Sequence, residues 1–181
     1  MTKLHELPSR DDEGHFRVVV ESPRGSRVKL KYDESLGVFT ISRPLSLGVE
    51  YPFDWGFVPS TRAPDGDPLD ALVLLDFPTY PGVVLPCKAV GAVRVSQKAE
   101  KGGRERNDRV IAVPADATLF GRVADARKID DRAKKELEAF FVAAVLFAGK
   151  EVKIEGWGGP DEAEKLVRAA EKAIGGKKKK R

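Results

Sequence analysis

Three carboxylates lie close together in the sequence, at Asp65, Asp67 and Asp70 in the segment DGDPLD. The glycine and proline between them are typical turn residues, so the segment is expected to turn just before an apolar strand. Clustered carboxylates repel one another unless a cation neutralises them, and Mg²⁺ prefers such oxygen ligands. Two interpretations therefore stay open for the motif alone, a magnesium site and a plain surface turn.

Other common catalytic motifs are missing from the sequence. It contains no G-x-S-x-G element, no G-x-x-x-x-G-K-[ST] phosphate loop and no G-x-G-x-x-G dinucleotide motif. The only histidines, His5 and His15, stand in the polar N-terminal segment. Neither a histidine metal site nor a Ser-His dyad is expected, and the acidic cluster remains the main candidate for chemistry.

The charge of the chain is unevenly distributed. The 181 residues carry a formal net charge of +4, but the last five, Lys177 to Arg181, are all basic, so the remaining residues sum to −1. The segment from Glu50 to Asp76 holds six acidic residues against Arg62 alone. This acidic focus favours cation binding over nucleic-acid binding.

Composition also limits the location of the protein. The single cysteine, Cys87, cannot form an intrachain disulfide, which favours a reducing, cytoplasmic location. The charged N-terminal segment does not have the pattern of a secretory signal. The longest uncharged apolar run, Ala139 to Gly149, is shorter than the ~20 residues that a membrane helix needs, so no membrane partner is expected.

The hydrophobic pattern predicts strands first and helices afterwards. Strands are predicted at Phe16–Val20, Arg27–Lys31, Val38–Ile41, Leu69–Leu75, Val83–Val95 with a bend at Gly91, Val110–Val113 and Val152–Trp157. A polar, mobile loop is predicted over Lys98–Asp108. Apolar spacing predicts two helices, one from about Asp130 to Phe147 and one from Pro160 to a stop at Gly175 and Gly176. This order indicates a small β-barrel with two C-terminal helices, as one domain over residues 1–176 and a disordered basic tail over 177–181.

The acidic motif and the segments around it resemble the soluble family I inorganic pyrophosphatases, in which an Asp-x-Asp-Pro-x-Asp element binds the metals. The matching segments are Val20–Pro23 with Lys29, Gly37–Arg43, Tyr51–Pro59, Pro81–Gly91, Val110–Pro114 and Val152–Trp157. The resemblance covers about residues 16–174. It implies a mainly β fold with a five-stranded OB-like barrel and flanking helices, Mg²⁺ as cofactor, pyrophosphate as substrate and assembly into a homo-oligomer.

The resemblance also implies a role for each site residue. Asp65 and Asp70 would hold Mg²⁺, and Asp67 would accept the proton of the attacking water. The remaining implied residues are Lys29, Arg43, Trp55 and Arg109 on the substrate, Asn107 and Asp108 as further metal ligands, and Glu21 as another active-site carboxylate. Taken singly, without the resemblance, Lys29, Arg43 and Glu21 are better interpreted as solvated strand charges.

Several positions depart from the family pattern inside the implied site. Lys31 stands where the family usually has glutamate, Trp55 replaces a tyrosine, Gln97 and Asn107 (or Asp108) stand for two aspartates, Arg109 for a lysine, and Ala144 and Val145 for a Tyr-Lys pair. The charge changes at Lys31, Gln97 and Asn107 remove about four units of negative charge. We therefore expect one or two bound cations rather than the full set, and slow hydrolysis of pyrophosphate.

Two alternatives to pyrophosphate hydrolysis remain from the sequence. A degenerate family member would bind a phosphorylated ligand or a partner protein without efficient catalysis, or would hydrolyse another phosphoanhydride. Nucleic-acid binding by an OB-like barrel requires aromatic side chains among basic ones. The basic stretch from Arg24 to Lys31 has only Tyr32 nearby, so nucleic acid is disfavoured.

Overall fold

The structure is a computed structural model that describes residues 3–99, 102–116 and 122–178, with the backbone alone over 175–178. The strands of the described residues are β1 (Phe16–Ser22), β2 (Val28–Asp33), β3 (Val38–Pro44), β4 (Asp54–Val58), β5 (Leu69–Val73), β6 (Val84–Lys98), β7 (Arg104–Arg106), β8 (Arg109–Pro114) and β9 (Lys153–Gly158). The helices are α1 (Asp131–Ala143) and α2 (Pro160–Lys178). Neither helix in this part of the chain is long and apolar enough to cross a membrane.

Five strands form a closed ring in the order β1-β4-β5-β8-β6, and β1 closes it by pairing with β6. The β5–β8 pair is parallel and the other pairs of the ring are antiparallel. Strands β7 and β9 extend from β6, while β2 and β3 form a separate hairpin. The predicted mainly β fold, with a closed five-stranded sheet and two C-terminal helices, is confirmed.

The two helices pack on different apolar clusters. Neighbouring residues of a strand point to opposite faces. On β5, Ala71 therefore belongs to one cluster and Leu72 to the other. Helix α2 contributes Val167 to the first cluster, and α1 contributes Phe140 to the second. Since Asp70 directly precedes these two positions on β5, the packing of both clusters fixes the strand that carries this carboxylate.

Strand β6 is one long bent strand, as predicted. It spans 15 residues and its register with β8 shifts between Ala89 and Gly91. A Cβ atom at Gly91 would lie 2.5 Å from the Cβ of Ala126 and 2.8 Å from the carbonyl oxygen of Gly158. Glycine at this position therefore permits the bend and leaves room for the close approach of Ala126 and Gly158.

The first helix is shorter than predicted. Its apolar spacing continues to Phe147, but α1 ends at Ala143. The carbonyl oxygen of Ala144 accepts a hydrogen bond from Nη1 of Arg43 at 2.5 Å, and that of Ala143 accepts one from Oγ of Ser46 at 3.3 Å. Beyond the helix the chain continues in turns with i→i+3 backbone hydrogen bonds, and contacts from distant side chains help to satisfy the carbonyls at the helix end.

Two further expectations are wrong. Helix α2 continues through Gly175 and Gly176 to Lys178, because glycine weakens a helix but keeps its N–H donor. The expected loop after Lys98 is in part a hairpin, in which β7 pairs with β6 and Arg104 donates to the carbonyl oxygen of Ser96 at 2.8 Å. The rest of the predicted tail, residues 179–181, lies outside the described residues.

Strand β4 depends on Gly56, which is paired with Val20 and Ala71. A Cβ atom there would lie 2.0 Å from the carbonyl oxygen of Val19. We predict that Gly56→Ala lowers the free energy of unfolding by about 3 kcal/mol, because a backbone rather than a flexible side chain must move. The measurement is urea unfolding.

The matched control is Gly25→Ala. Gly25 has a φ of +82° and open space around it, so only local strain of about 1 kcal/mol is expected. Equal losses for the two variants would contradict the steric explanation for Gly56.

Candidate active site

Arg109 joins three of the predicted site residues. It is the first residue of β8, and Asp70 lies on the neighbouring strand β5. Its Nη1 donates to Oδ2 of Asp70 at 2.6 Å and also to Oδ1 of Asn107. The guanidinium carbon lies 5.3 Å from the centroid of the Trp55 ring, within cation–π range. The ion pair with Asp70, the amide of Asn107 and the ring of Trp55 together fix the orientation of the guanidinium.

Trp55 lies on β4 and is 6% exposed. The rings of Tyr51 and Phe141 stand 6.2 Å from it, centroid to centroid. Its indole Nε1 is buried without a hydrogen-bond partner among the described residues. Buried polar groups are ordinarily hydrogen-bonded, so this free N–H points to a ligand or water that would complete it.

Two further cations come from the β2–β3 hairpin. Lys29 and Arg43 are directly opposite each other in that pair. They line one cavity of about 40 Å³ together with Arg109 and Trp55. Burial lowers the pKa of Lys29, which shows that desolvation of its ammonium is costly. Like charges placed directly opposite are destabilising, so this arrangement favours an anion between them.

The acidic residues lie on the neighbouring side. Asp65 and Asp67 line a cleft of about 890 Å³ that also holds Lys31 and Gln97. Burial raises the pKa of Asp65, and the nearby charge of Asp70 raises it further. Lys31 forms an ion pair with Asp67, with Nζ 3.5 Å from Oδ1. Both side chains are at least half exposed, so this pair contributes little to stability.

Glu21 is the most buried of the predicted carboxylates, with 6% exposure on β1. Its Oε1 accepts a hydrogen bond from the backbone N–H of Tyr32 at 2.9 Å. Burial raises its pKa to about 7, and the charge of Asp70 adds to this effect. Glu21 shares a small pocket with Lys29, Asp67 and Asp70, so the structure brings it into the predicted group.

The sequence left Asn107 and Asp108 as alternatives for one position. Asn107 is buried and contacts Arg109. The carboxylate of Asp108 instead accepts from Nη2 of Arg106 at 2.7 Å and from the backbone N–H of Val95 at 2.9 Å. Asn107 is therefore the one beside the Arg109–Asp70 pair. Metal binding by either residue stays a prediction.

Sequence reasoning missed Glu105. This residue of β7 pairs in register with Gln97 and accepts a hydrogen bond from its Nε2 at 3.0 Å. Gln97 is 1% exposed, and its Oε1 has no partner among the described residues. Glu105 lines the cleft with Asp65 and Asp67. Residues 104–106 are all charged and show no apolar alternation, so the sequence held no signal for the β6–β7 pairing that brings Glu105 here.

The oxygen donors of this cleft fit a magnesium ion that the substrate helps to hold. No group of three or more His, Cys, Asp or Glu side chains within the described ranges forms a ready metal centre. Mg²⁺ commonly uses one or two carboxylates together with substrate phosphates and waters. Asp65 lines the cleft and lies near the charge of Asp70, so these two carboxylates provide such a set.

The raised pKa of Glu21 predicts a pH dependence of stability. Its pKa rises from 4.5 to about 7 on folding, so between these values the folded chain binds more protons than the unfolded chain. Stability should therefore fall by about 3 kcal/mol as the pH rises through this window, and Glu21→Gln should remove that loss. Urea unfolding at several pH values, without metal, measures it.

Glu6→Gln is the control for this test, because Glu6 is exposed. Its pH profile should match that of the unchanged chain. The contradicting result is an unfolding free energy of Glu21→Gln that falls as steeply between pH 4.5 and 7 as that of the unchanged chain. That result would show that Glu21 does not cause the pH dependence.

Comparisons with known proteins agree with this geometry. The family model for inorganic pyrophosphatase matches residues 18–174. The inorganic pyrophosphatase of Sulfolobus acidocaldarius is 36% identical over 172 residues, covering 93% of this chain and 96% of that protein. The inorganic pyrophosphatase of Leifsonia xyli subsp. xyli is 41% identical over 155 residues, covering 85% and 92%.

The fold gives the same result. The crystal structure of the inorganic pyrophosphatase from Thermus thermophilus matches with a TM-score of 0.86 and 36% identity, covering 96% of this chain and 99% of that one. Because the family model covers most of the chain and the relatives match over nearly their whole length, the chain belongs to the inorganic pyrophosphatase family.

Proposed function

We propose that this chain hydrolyses inorganic pyrophosphate to two phosphates with the help of Mg²⁺, at a lower rate than a full family site would support. The observation that carries the proposal is the cavity shared by Lys29, Arg43 and Arg109, which lies beside the carboxylate of Asp70. Family membership supports the same reaction.

The three cations would bind the substrate. Pyrophosphate carries several negative charges, and Arg43 and Arg109 present planar guanidinium groups that suit phosphate oxygens. Lys29 adds a point charge on the same cavity. As the bond between one phosphorus and the bridging oxygen breaks, charge accumulates on the leaving phosphate, and these cations would stabilise it.

Asp67 would act as the general base. Its side chain is well exposed in the cleft, which gives a water molecule access to the carboxylate. In the proposed step, Asp67 takes one proton from the water whose oxygen attacks phosphorus.

Magnesium would be held by Asp65 and Asp70, which leaves Asp67 available as the base. When bound, the cation would neutralise phosphate charge and make a water more acidic. The residues expected around it include fewer carboxylates than the family pattern, because Gln97 and Asn107 are neutral and Lys31 is basic. Mutations that remove one preorganised charge contact commonly cost ~10²–10³ in rate, which supports the slow turnover.

A second candidate function is binding of a phosphorylated ligand without hydrolysis. The observation that favours it is the pairing of two candidate carboxylates with protein cations, Asp70 with Arg109 and Asp67 with Lys31. In such pairs a protein cation already neutralises the carboxylate that a metal would bind, which disfavours metal-assisted activation of water. Homo-oligomeric assembly and a cytoplasmic location stay predictions.

Phosphate release from pyrophosphate with Mg²⁺ tests the first function. Asp67→Asn removes the proposed base and should lower kcat about 10²-fold, while pyrophosphate affinity changes little. Asp12→Asn, at an exposed position outside the site, is the control and should keep full turnover.

Two results would contradict the assignment. Turnover that survives Asp67→Asn would show that another group accepts the proton. Binding of pyrophosphate by the unchanged chain with no phosphate release would favour the second function over the first.

A further inference from the structure

The cavity that holds Lys29, Arg43 and Arg109 has a second, apolar side. Phe141 on α1 and, just beyond the helix end, Ala144 and Val145 line it, together with Val152 before β9. Within the described residues, this cavity has no acidic lining residue. It therefore has one cationic wall and one apolar wall.

Inorganic phosphate or pyrophosphate can contact the cationic wall but gains nothing from the apolar wall. Its oxygens are polar all round, and those facing Ala144 and Val145 would lose water without gaining a hydrogen bond. A phosphate with an organic substituent has a charged end for the cations and an apolar end for the opposite wall. The shape of the charge distribution thus selects an amphipathic ligand.

The unpartnered N–H of Trp55 points to the same conclusion. Trp55 lines this cavity and is 6% exposed, yet its Nε1 has no partner among the described residues. An acceptor oxygen of a bound ligand would satisfy it. Since the indole ring is apolar and its N–H polar, Trp55 can contact both parts of an amphipathic ligand.

The volume limits the substituent. A cavity needs about 10–15 Å³ to hold one water, so 40 Å³ has room for a few non-hydrogen atoms. The larger cleft of about 890 Å³ involves the same elements, since Lys29 and Lys31 share one face of β2 and Val95 and Gln97 share one face of β6. The diphosphate group can therefore extend from the cationic wall towards that cleft.

We propose that this site also takes a diphosphate monoester with a compact apolar substituent, in addition to inorganic pyrophosphate. The inference rests on the phosphate binding in the proposed function and names the ligand class of that same site. Val145 would be a specificity-determining residue, because it faces the substituent and makes no contact with the phosphates.

Calorimetry with two non-hydrolysable probes tests the proposal. These are the mono-butyl and the mono-methoxyethyl esters of methylenediphosphonate, which have the same length and charge but differ in one CH₂ replaced by oxygen. Burial of one CH₂ contributes about fourfold in affinity, and loss of water from the ether adds to it. We expect the butyl ester to bind about tenfold more tightly.

Two variants locate the effect. Val145→Thr keeps the side-chain shape but adds a hydroxyl, and should reduce the preference to about twofold or less. Val142→Thr makes the same change at an exposed position of α1 and should keep the full preference. Circular dichroism of both variants verifies that they fold.

The outcomes separate this inference from the proposed function. A preference for the butyl ester that Val145→Thr removes supports the inference, even if pyrophosphate is not hydrolysed. Equal affinity for both esters, or a preference that Val145→Thr leaves intact, overturns it while pyrophosphate hydrolysis stands. Failure to bind either ester or methylenediphosphonate itself would overturn both.

Discussion

The contact between Arg109 and Asp70 determines how charge is arranged in the candidate site. The pair is 2.6 Å long, lies largely out of solvent, and is held in orientation by Asn107 and the ring of Trp55. Removing one partner of a buried pair leaves an uncompensated charge and typically costs 3–5 kcal/mol. The parallel pairing of β5 and β8 brings the two residues together, so the closed ring of strands and the charge arrangement depend on each other.

This arrangement divides the site into two parts. On one side, protein cations from β2, β3 and β8 surround a small cavity; on the other, Asp65, Asp67 and the neutral Gln97 line an open cleft. The negative charge of a phosphate can thus be neutralised by fixed side chains in the first part and by a bound metal ion in the second. Fewer carboxylates and more built-in positive charge explain why a member of this family could need fewer metal ions.

Local patterns in the sequence predicted much of this, and distant contacts account for the rest. Alternation predicted β2, a nearly continuous apolar run predicted β5, and Gly91 predicted the bend of β6. The end of α1 was not predictable, because Arg43 and Ser46 bind its last carbonyls from about 100 residues away. Which of Asn107 and Asp108 lies beside the Arg109–Asp70 pair likewise depends on the register between β6 and β7, and the sequence pattern does not specify that register. The metal-binding roles remain predictions, because they concern ligands rather than chain geometry.

The central claim is that protein cations replace part of the metal complement. The most direct test is Mn²⁺ stoichiometry in the presence of methylenediphosphonate, measured by electron paramagnetic resonance of free Mn²⁺ against total protein. We predict one or two ions per chain, because Gln97 and Asn107 are neutral and the carboxylate of Asp70 is already paired with Arg109. Three or more tightly bound ions per chain would contradict it.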